Sequence, residues 1–224
     1  MLKTTTWMPK RGLSKAPTCH DLMQLRPTRL ATTRENPRGL FIDRWGTLCS
    51  LPASGFAKRP SDVEFLPGAL DALFNASRLG WNIYVIGNED SVAFGALSEA
   101  AWKKIDGHIQ SSLIAHGIPL KRSYACLEHP EAGAPHAQPS VFRLPETGAF
   151  FHAMHNDGID LSKSWVIGDS TIELAAAWRA DLRSIGVRTG VALKDETLVV
   201  EPELMAEDLA SAIAALTRAG AEAA

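Results

Sequence analysis

From Arg38 onward the chain alternates between short apolar runs and longer amphipathic stretches. Gly39-Leu40-Phe41-Ile42, ending at Asp43, reads as a buried strand, and Asn82-Ile83-Tyr84-Val85-Ile86, ending at Gly87-Asn88, reads as a second. Ser123-Tyr124-Ala125-Cys126, Ser164-Trp165-Val166-Ile167 and Ser184 to Val187 predict three more. Between them the spacing of apolar positions predicts helices. One opens at Pro67-Gly68 with Leu70, Leu73, Phe74 and Leu79 on one face, and a long one runs from about Ser91 to His116. Others cover Thr147 to Asn156 and the stretch from Gly168-Asp169-Ser170 to about Ala180. A closing helix spans Pro202 to Ala219, with Leu204, Leu209, Ile213 and Leu216 inward, while Glu128 to Pro145 reads as a loop rich in Pro, Gly and His.

Strands alternating with helices imply an α/β fold, a parallel sheet with helices on both faces. Uninterrupted apolar runs are what strands buried on both faces require. Ligands bind such sheets beyond the carboxyl ends of the strands. Asp43, Asn88 and Asp169 each stand at the end of a predicted strand, so they are expected to converge on one crevice.

Residues 1–38 break the pattern. They hold Thr, four prolines and basic residues with little periodicity, and read as an irregular extension with one short helix around His20 to Leu25. They carry eight Lys/Arg against Asp21 and Glu35, a charge of +6, which leaves −8 on the rest of a chain whose net charge is only −2. The expected organisation is a basic extension over 1–38 and one domain over 39–224. The extension is open to two functional readings, a partner-binding arm and a weak likeness to a transit peptide.

Composition narrows the class. With 224 residues, 46% hydrophobic and 21% charged, the chain is of ordinary globular make-up and long enough for a sizeable core. No apolar run reaches the ~18 residues of a membrane span, and the first residues lack a secretory signal's apolar stretch. Cys19, Cys49 and Cys126 are too few and scattered for a disulfide framework, which suits a reducing, cytoplasmic setting. The near-neutral charge argues against nucleic-acid binding. Neither membrane nor nucleic acid is therefore an expected partner.

Phe41-Ile42-Asp43-Arg44-Trp45-Gly46-Thr47-Leu48 resembles the first motif of the haloacid dehalogenase (HAD) superfamily. Four later segments stand in that family's order: Phe65-Leu66-Pro67-Gly68, Val85-Ile86-Gly87-Asn88, Arg143-Leu144-Pro145-Glu146-Thr147-Gly148, and Gly168-Asp169-Ser170 through Glu173. The likeness covers about residues 39–190. It is nearest to the small phosphatases of heptose bisphosphate and histidinol phosphate, whose structural zinc loop Tyr124 to Glu131 resembles at its start.

The resemblance implies a HAD-like, Rossmann-like fold with little or no cap domain. It implies Asp43 as a nucleophile that forms an aspartyl-phosphate. It implies Mg²⁺ held by Asp43, the Trp45 carbonyl and Asp169, with Glu173 as a supporting acid. Gly87, Asn88 and Arg143 fall where phosphate or substrate is contacted, so the resemblance implies a phosphorylated small molecule as partner, or a protein if the chain serves as a binding module. The departures are sharp. The family's general acid/base is Trp45 here, and indole transfers no proton at neutral pH. Its phosphate-binding Thr is Gly87, and its Lys is Leu144. The zinc loop keeps Cys126, shifts His129 by one position and has Ser140-Val141-Phe142 where a Cys pair belongs, so no zinc is expected.

Three functions compete at this stage: a hydrolase with altered machinery, a pseudo-phosphatase serving as a binding or scaffold module, and a dehalogenase-like hydrolase. Elsewhere the plain structural reading is expected. Asp169-Ser170 doubles as a helix cap, Lys58-Arg59 is a solvated pair, His129 and His136 are surface residues, and Trp102 and Trp178 belong to the core.

Overall fold

The computed structural model describes residues 37–195 and 197–222. Apart from Pro37 and Arg38, the expected extension and its short helix lie outside the described residues. The strands are β1 (Arg38–Asp43), β2 (Trp81–Asn88), β3 (Leu120–Cys126), β4 (Trp165–Gly168), β5 (Arg183–Val187) and β6 (Leu204–Ala206). They form one parallel sheet in the order β3-β2-β1-β4-β5-β6. The helices are α1 (Ala69–Arg78), α2 (Asp90–Ala93), α3 (Glu99–Ala115), α4 (Gly148–Asp157), α5 (Thr171–Arg179) and α6 (Leu209–Glu222).

Alternation along each strand builds two cores from one sheet. Leu40, Ile42, Ile83, Val85 and Ile167 point to the face covered by α1, α3 and α6, where they meet Leu73, Trp102, Ile105, Ile109 and Ile213. Phe41, Tyr84, Ile86 and Val166 point to the opposite face, against Phe150 and Ala153 of α4 and Ala176 and Ala177 of α5. There Phe41 stacks on Tyr84 at 4.6 Å and meets Phe150 edge-on at 4.8 Å. The residues of β1, β2 and β4 are thus buried nearly throughout, which is why their runs in the sequence are continuous.

The connections are short of any inserted domain. Residues 44–68, between β1 and α1, hold a single 3-10 turn at Pro60–Asp62, and residues 127–147 contain only turns and bends. The expected cap-poor, HAD-like architecture is the one observed.

Four expectations need correction. The helix from Ser91 to His116 is two helices. Gly95 takes φ +74° and ends the first, and Ser98 caps the second, its hydroxyl accepting from the Ala101 N–H at 3.2 Å. The closing segment begins as β6, a three-residue strand beside β5 that is too short to announce itself by periodicity. Leu204 accordingly lies exposed on that edge and is not on the inner face of α6. On α1 the buried face is Ala69, Ala72, Leu73 and Ala76, while Phe74 and Leu79 are exposed. Trp102 is in the core as expected, but Trp178 is 76% exposed: α5 buries its small residues against the sheet and turns the indole outward.

Candidate active site

The strand order reverses between β1 and β4, and the ends of those two strands flank the crevice that such a reversal creates. Asp43 is the last residue of β1, and Asp169 follows β4 directly. Their carboxyl groups are in hydrogen-bond contact, and both are nearly wholly buried. The loop after β1 folds back on itself, Leu48 N–H donating to the Asp43 carbonyl at 3.1 Å and Cys49 N–H to the Arg44 carbonyl at 2.9 Å. Gly46 in that loop has φ +92°, and a Cβ there would lie 2.2–2.7 Å from the Asp169 carboxylate. The glycine of Asp-x-x-Gly-Thr is thus what lets β1's loop pass Asp169. The next residue holds it: Thr47 Oγ1 donates to Asp169 Oδ1 at 3.2 Å, while Val191 N–H donates to Oδ2 at 2.7 Å.

Glu173, one turn into α5, completes an acidic group, with Ser170 Oγ donating to its carboxylate. Burial raises the Asp43 carboxyl well above the ordinary range, and the charges of Glu173 and Asp169 raise it further. Burial also raises Asp169 against its hydrogen bonds, and pushes Glu173 up to about 7. Adjacent carboxylates removed from water raise one another in this way unless a proton or cation lies between them. Two hard oxygen donors together suit Mg²⁺.

The other side of the crevice, from the end of β2, is differently built. Arg44 is wholly buried, its guanidinium ion-paired with Glu89, donating to Ser123 Oγ at 2.9 Å and the Tyr124 carbonyl at 3.3 Å, and lying 5.0 Å from the Trp102 ring. Glu89 also accepts from the Trp45 indole N–H at 3.4 Å. Burial pushes Glu89 up to about 7, against the opposing pull of Arg44 and of that N–H. A Cβ on Gly87 would come within 2.9 Å of Arg44 Nη1. The space a threonine would use is therefore taken by Arg44.

Asn88 spends its amide on one partner: Nδ2 donates to the Leu144 carbonyl at 2.8 Å, and Oδ1 accepts from the Leu144 N–H at 2.9 Å. Leu144 itself is buried among the aromatic residues of the α4 face. Arg143 forms a two-pronged pair with Asp90 at 2.7 and 3.3 Å. In the 128–145 loop, the Cys126 thiol lies 3.4 Å from the Glu128 carboxylate, and burial raises its pKa, so it is held as a thiol. His129 packs against Phe94, and His136 stands 3.5 Å from Glu99. Among the described residues, no three His, Cys, Asp or Glu side chains are grouped to hold a metal ion. Lys58 and Arg59 are both exposed to solvent, Arg59 pairing with Asp62 at 2.9 Å and Lys58 lying 5.7 Å from the Phe56 ring.

The structure thus gathers Asp43, Asp169 and Glu173. It places the Gly87 and Asn88 backbone beside them and turns the Asn88 amide away to Leu144. Arg44, Thr47 and Glu89 are the participants that motif reading passed over. A basic residue between an apolar strand and Gly-Thr, and an acid directly after Asn88, were the available signals.

Comparison with known proteins agrees with this geometry. A family model described as HAD-hyrolase-like matches residues 141–212, the stretch that carries Arg143, Asp169 and Glu173. The D-glycero-beta-D-manno-heptose-1,7-bisphosphate 7-phosphatase of Haemophilus ducreyi is 29% identical over 71% of this chain and 87% of its own length. The protein of that name from Photorhabdus laumondii is 27% identical over 70% of this chain and 84% of its own. The crystal structure of D,D-heptose 1.7-bisphosphate phosphatase from B. bronchiseptica, complexed with magnesium and phosphate, superposes with a TM-score of 0.71 at 23% identity, covering 81% of this chain and 99% of that one. The fold is HAD-like, and the resemblance to heptose-bisphosphate phosphatases holds along most of the domain.

Proposed function

We propose that this chain is a phosphoric monoester hydrolase of HAD type, with Asp43 as nucleophile, Mg²⁺ as cofactor and a turnover slowed by the missing acid/base, Thr and Lys. One observation carries the reading: Asp43 and Asp169 lie in contact, buried, at the switch point of the sheet. Asp43, Asp169 and the Trp45 carbonyl would hold the ion, which when bound neutralises phosphate oxygens and steadies the substrate. Asp43 Oδ attacks phosphorus, and the aspartyl-phosphate so formed is then opened by water. Thr47 and the Val191 N–H fix Asp169. Arg143, paired with Asp90 at 2.7 Å, is the cation that would turn to the substrate. Trp45 supplies no proton, and loss of a general acid/base typically costs about 10²–10⁴-fold in rate.

A second reading has its own support. Leu144 is buried where the family carries Lys, and the Trp45 indole is tied to Glu89, so a ligand could be held and not turned over. The two separate on phosphate release from a panel of sugar phosphates, heptose 1,7-bisphosphate and acyl phosphates, with and without Mg²⁺, against Asp43→Asn. Release that needs both Mg²⁺ and Asp43 supports the hydrolase. Mg²⁺-dependent binding of the same esters with no release above the variant leaves only the binding module.

A further inference from the structure

A cavity of about 220 Å³ opens beyond the carboxyl ends of β1 and β2. Its wall comes from the β1 loop through Trp45, Leu51 and Phe56, and from the end of β2 through Asn88, Glu89 and Asp90. Pockets that take drug-sized molecules run to about 300–1,000 Å³, so this one suits a group of ring size. Its chemistry is unlike that of a site for a second phosphate. The lining offers two aromatic rings, an aliphatic side chain and two carboxyl groups, and no Lys, Arg or His is among the residues that line it. Arg143 and Lys58 touch Asp90 and Phe56 but do not line the space. A doubly charged phosphate there would face Glu89 and Asp90, whereas an aromatic ring would gain the stacked or edge-on contacts that Trp45 and Phe56 can give.

The missing acid points the same way through a different observation. With Trp45 at the acid's position, the leaving oxygen departs unprotonated, and only a weakly basic one does so readily. A phenol, with a pKa near ~10, is such a group, and a sugar alkoxide is not. Resting on the hydrolase reading above, we infer that the substrate class of this site is an aryl phosphate monoester, its ring seated between Trp45 and Phe56, in place of a sugar bisphosphate. The step balances without a protein acid. Asp43 Oδ bonds to phosphorus as the bond from phosphorus to the aryl oxygen breaks, and the electron pair leaves on the phenolate, which takes a proton from water. Water then attacks phosphorus, the bond to Asp43 breaks with its pair returning to the carboxylate, one proton of that water neutralises the hydroxide left by protonation of the phenolate, and the other leaves with inorganic phosphate.

Two measurements on the full chain with Mg²⁺ test this. In binding, phenylphosphonate should be held roughly three- to tenfold more tightly than methylphosphonate, the value of one aromatic contact, and Phe56→Ala should erase that margin where Phe56→Tyr keeps it. In turnover, kcat/KM should rise steeply along a series of phenyl phosphates as the leaving phenol becomes more acidic. Heptose 1,7-bisphosphate should lie at the bottom of the series, and Trp45→Asp should flatten the slope. Equal binding of the two phosphonates, or heptose bisphosphate turned over as well as phenyl phosphate, overturns the aryl assignment while leaving Asp43-dependent hydrolysis standing. No Asp43-dependent release from any ester overturns both.

Discussion

The crevice has two halves that solve opposite problems. The half from β1 and β4 brings Asp43, Asp169 and Glu173 together, and burial raises all three carboxyl groups. The half from β2 and the 128–145 loop has matched its polar groups: Arg44 with Glu89, Glu89 with Trp45, Asn88 with Leu144, Arg143 with Asp90. Where a family member would keep Thr and Lys free for phosphate, this chain has closed the polar groups on one another. The first half is an acidic group suited to a cation; in the second, the groups named are paired within the protein, although Arg44 Nε has no partner among the described residues and burial still pushes Glu89 up to about 7. The comparison shows how a polar residue at the edge of such a crevice is committed to the protein when a neighbouring group can pair with it.

The sharpest way to break the matched half is through its buried ion pair. Glu89→Ala leaves the wholly buried Arg44 guanidinium to the more distant Asp106, 4.0 Å away, and removal of the close partner of such a pair costs about 3–5 kcal/mol. Chemical denaturation should show a loss of that size, and Arg44→Met with Glu89→Leu should recover most of it. A double variant as unstable as the single one would mean that the pair is not the unit proposed.

The acidic half should respond to charge instead. Mg²⁺ that binds the folded chain alone stabilises it by about 2.7 kcal/mol at 100 times its Kd, and Asp169→Asn should abolish the gain in melting temperature. Without metal the sign of the pH dependence is fixed by the raised carboxyl groups. Between the unfolded value of about 4 and the higher folded values, the folded state holds more protons than the unfolded one. Stability from these groups is full below about 4 and is lost as pH rises through the folded values, about 7 for Glu173. In chelator, melting should therefore occur at a lower temperature at pH 8 than at pH 5.5, with Mg²⁺ reducing the difference. An unchanged slope in Asp169→Asn would remove that residue from the group.

How much of this the sequence shows depends on whether the signal is local. The strands were legible because burial on both faces demands unbroken apolar runs, and Asp43 and Asp169 because both stand at strand ends. The break at Gly95, β6 and the outward Trp178 were not, since each depends on what an element packs against. In the site, Gly46 was a motif letter whose reason is only spatial, the Asp169 carboxylate 2.2–2.7 Å from where its Cβ would stand. Arg44 and Glu89 lie 45 positions apart and meet only in the fold. Gly87 read as a loss, yet the space beside it is where Arg44 runs.

Smaller effects sharpen the boundary between the halves. Asn88→Ala removes both hydrogen bonds to the buried Leu144 backbone and leaves that backbone short of partners, at about 1–3 kcal/mol in denaturation. Asn88 is then a positioning residue for the loop. A variant that loses phosphate binding and keeps full stability would return it to the substrate.

Arg143 marks the boundary itself, and it should behave in the reverse way. Its pair with Asp90 joins a guanidinium that is partly covered to a carboxylate more than half exposed, at 2.7 Å. Pairs open to water are worth about 0–1 kcal/mol, so Arg143→Gln should melt within a degree or two of the parent protein, a shift of the order expected for a few tenths of a kcal/mol. If the guanidinium leaves Asp90 to meet the substrate, the same variant should raise KM for phosphate esters with little change in kcat, because a contact made equally to substrate and transition state acts on binding alone. Arg143→Lys should restore part of that affinity, since it keeps the charge and loses the two-pronged geometry. A KM unmoved in Arg143→Gln would leave Arg143 committed to Asp90 like the other matched groups, and the phosphate would then depend on the acidic half and its metal alone.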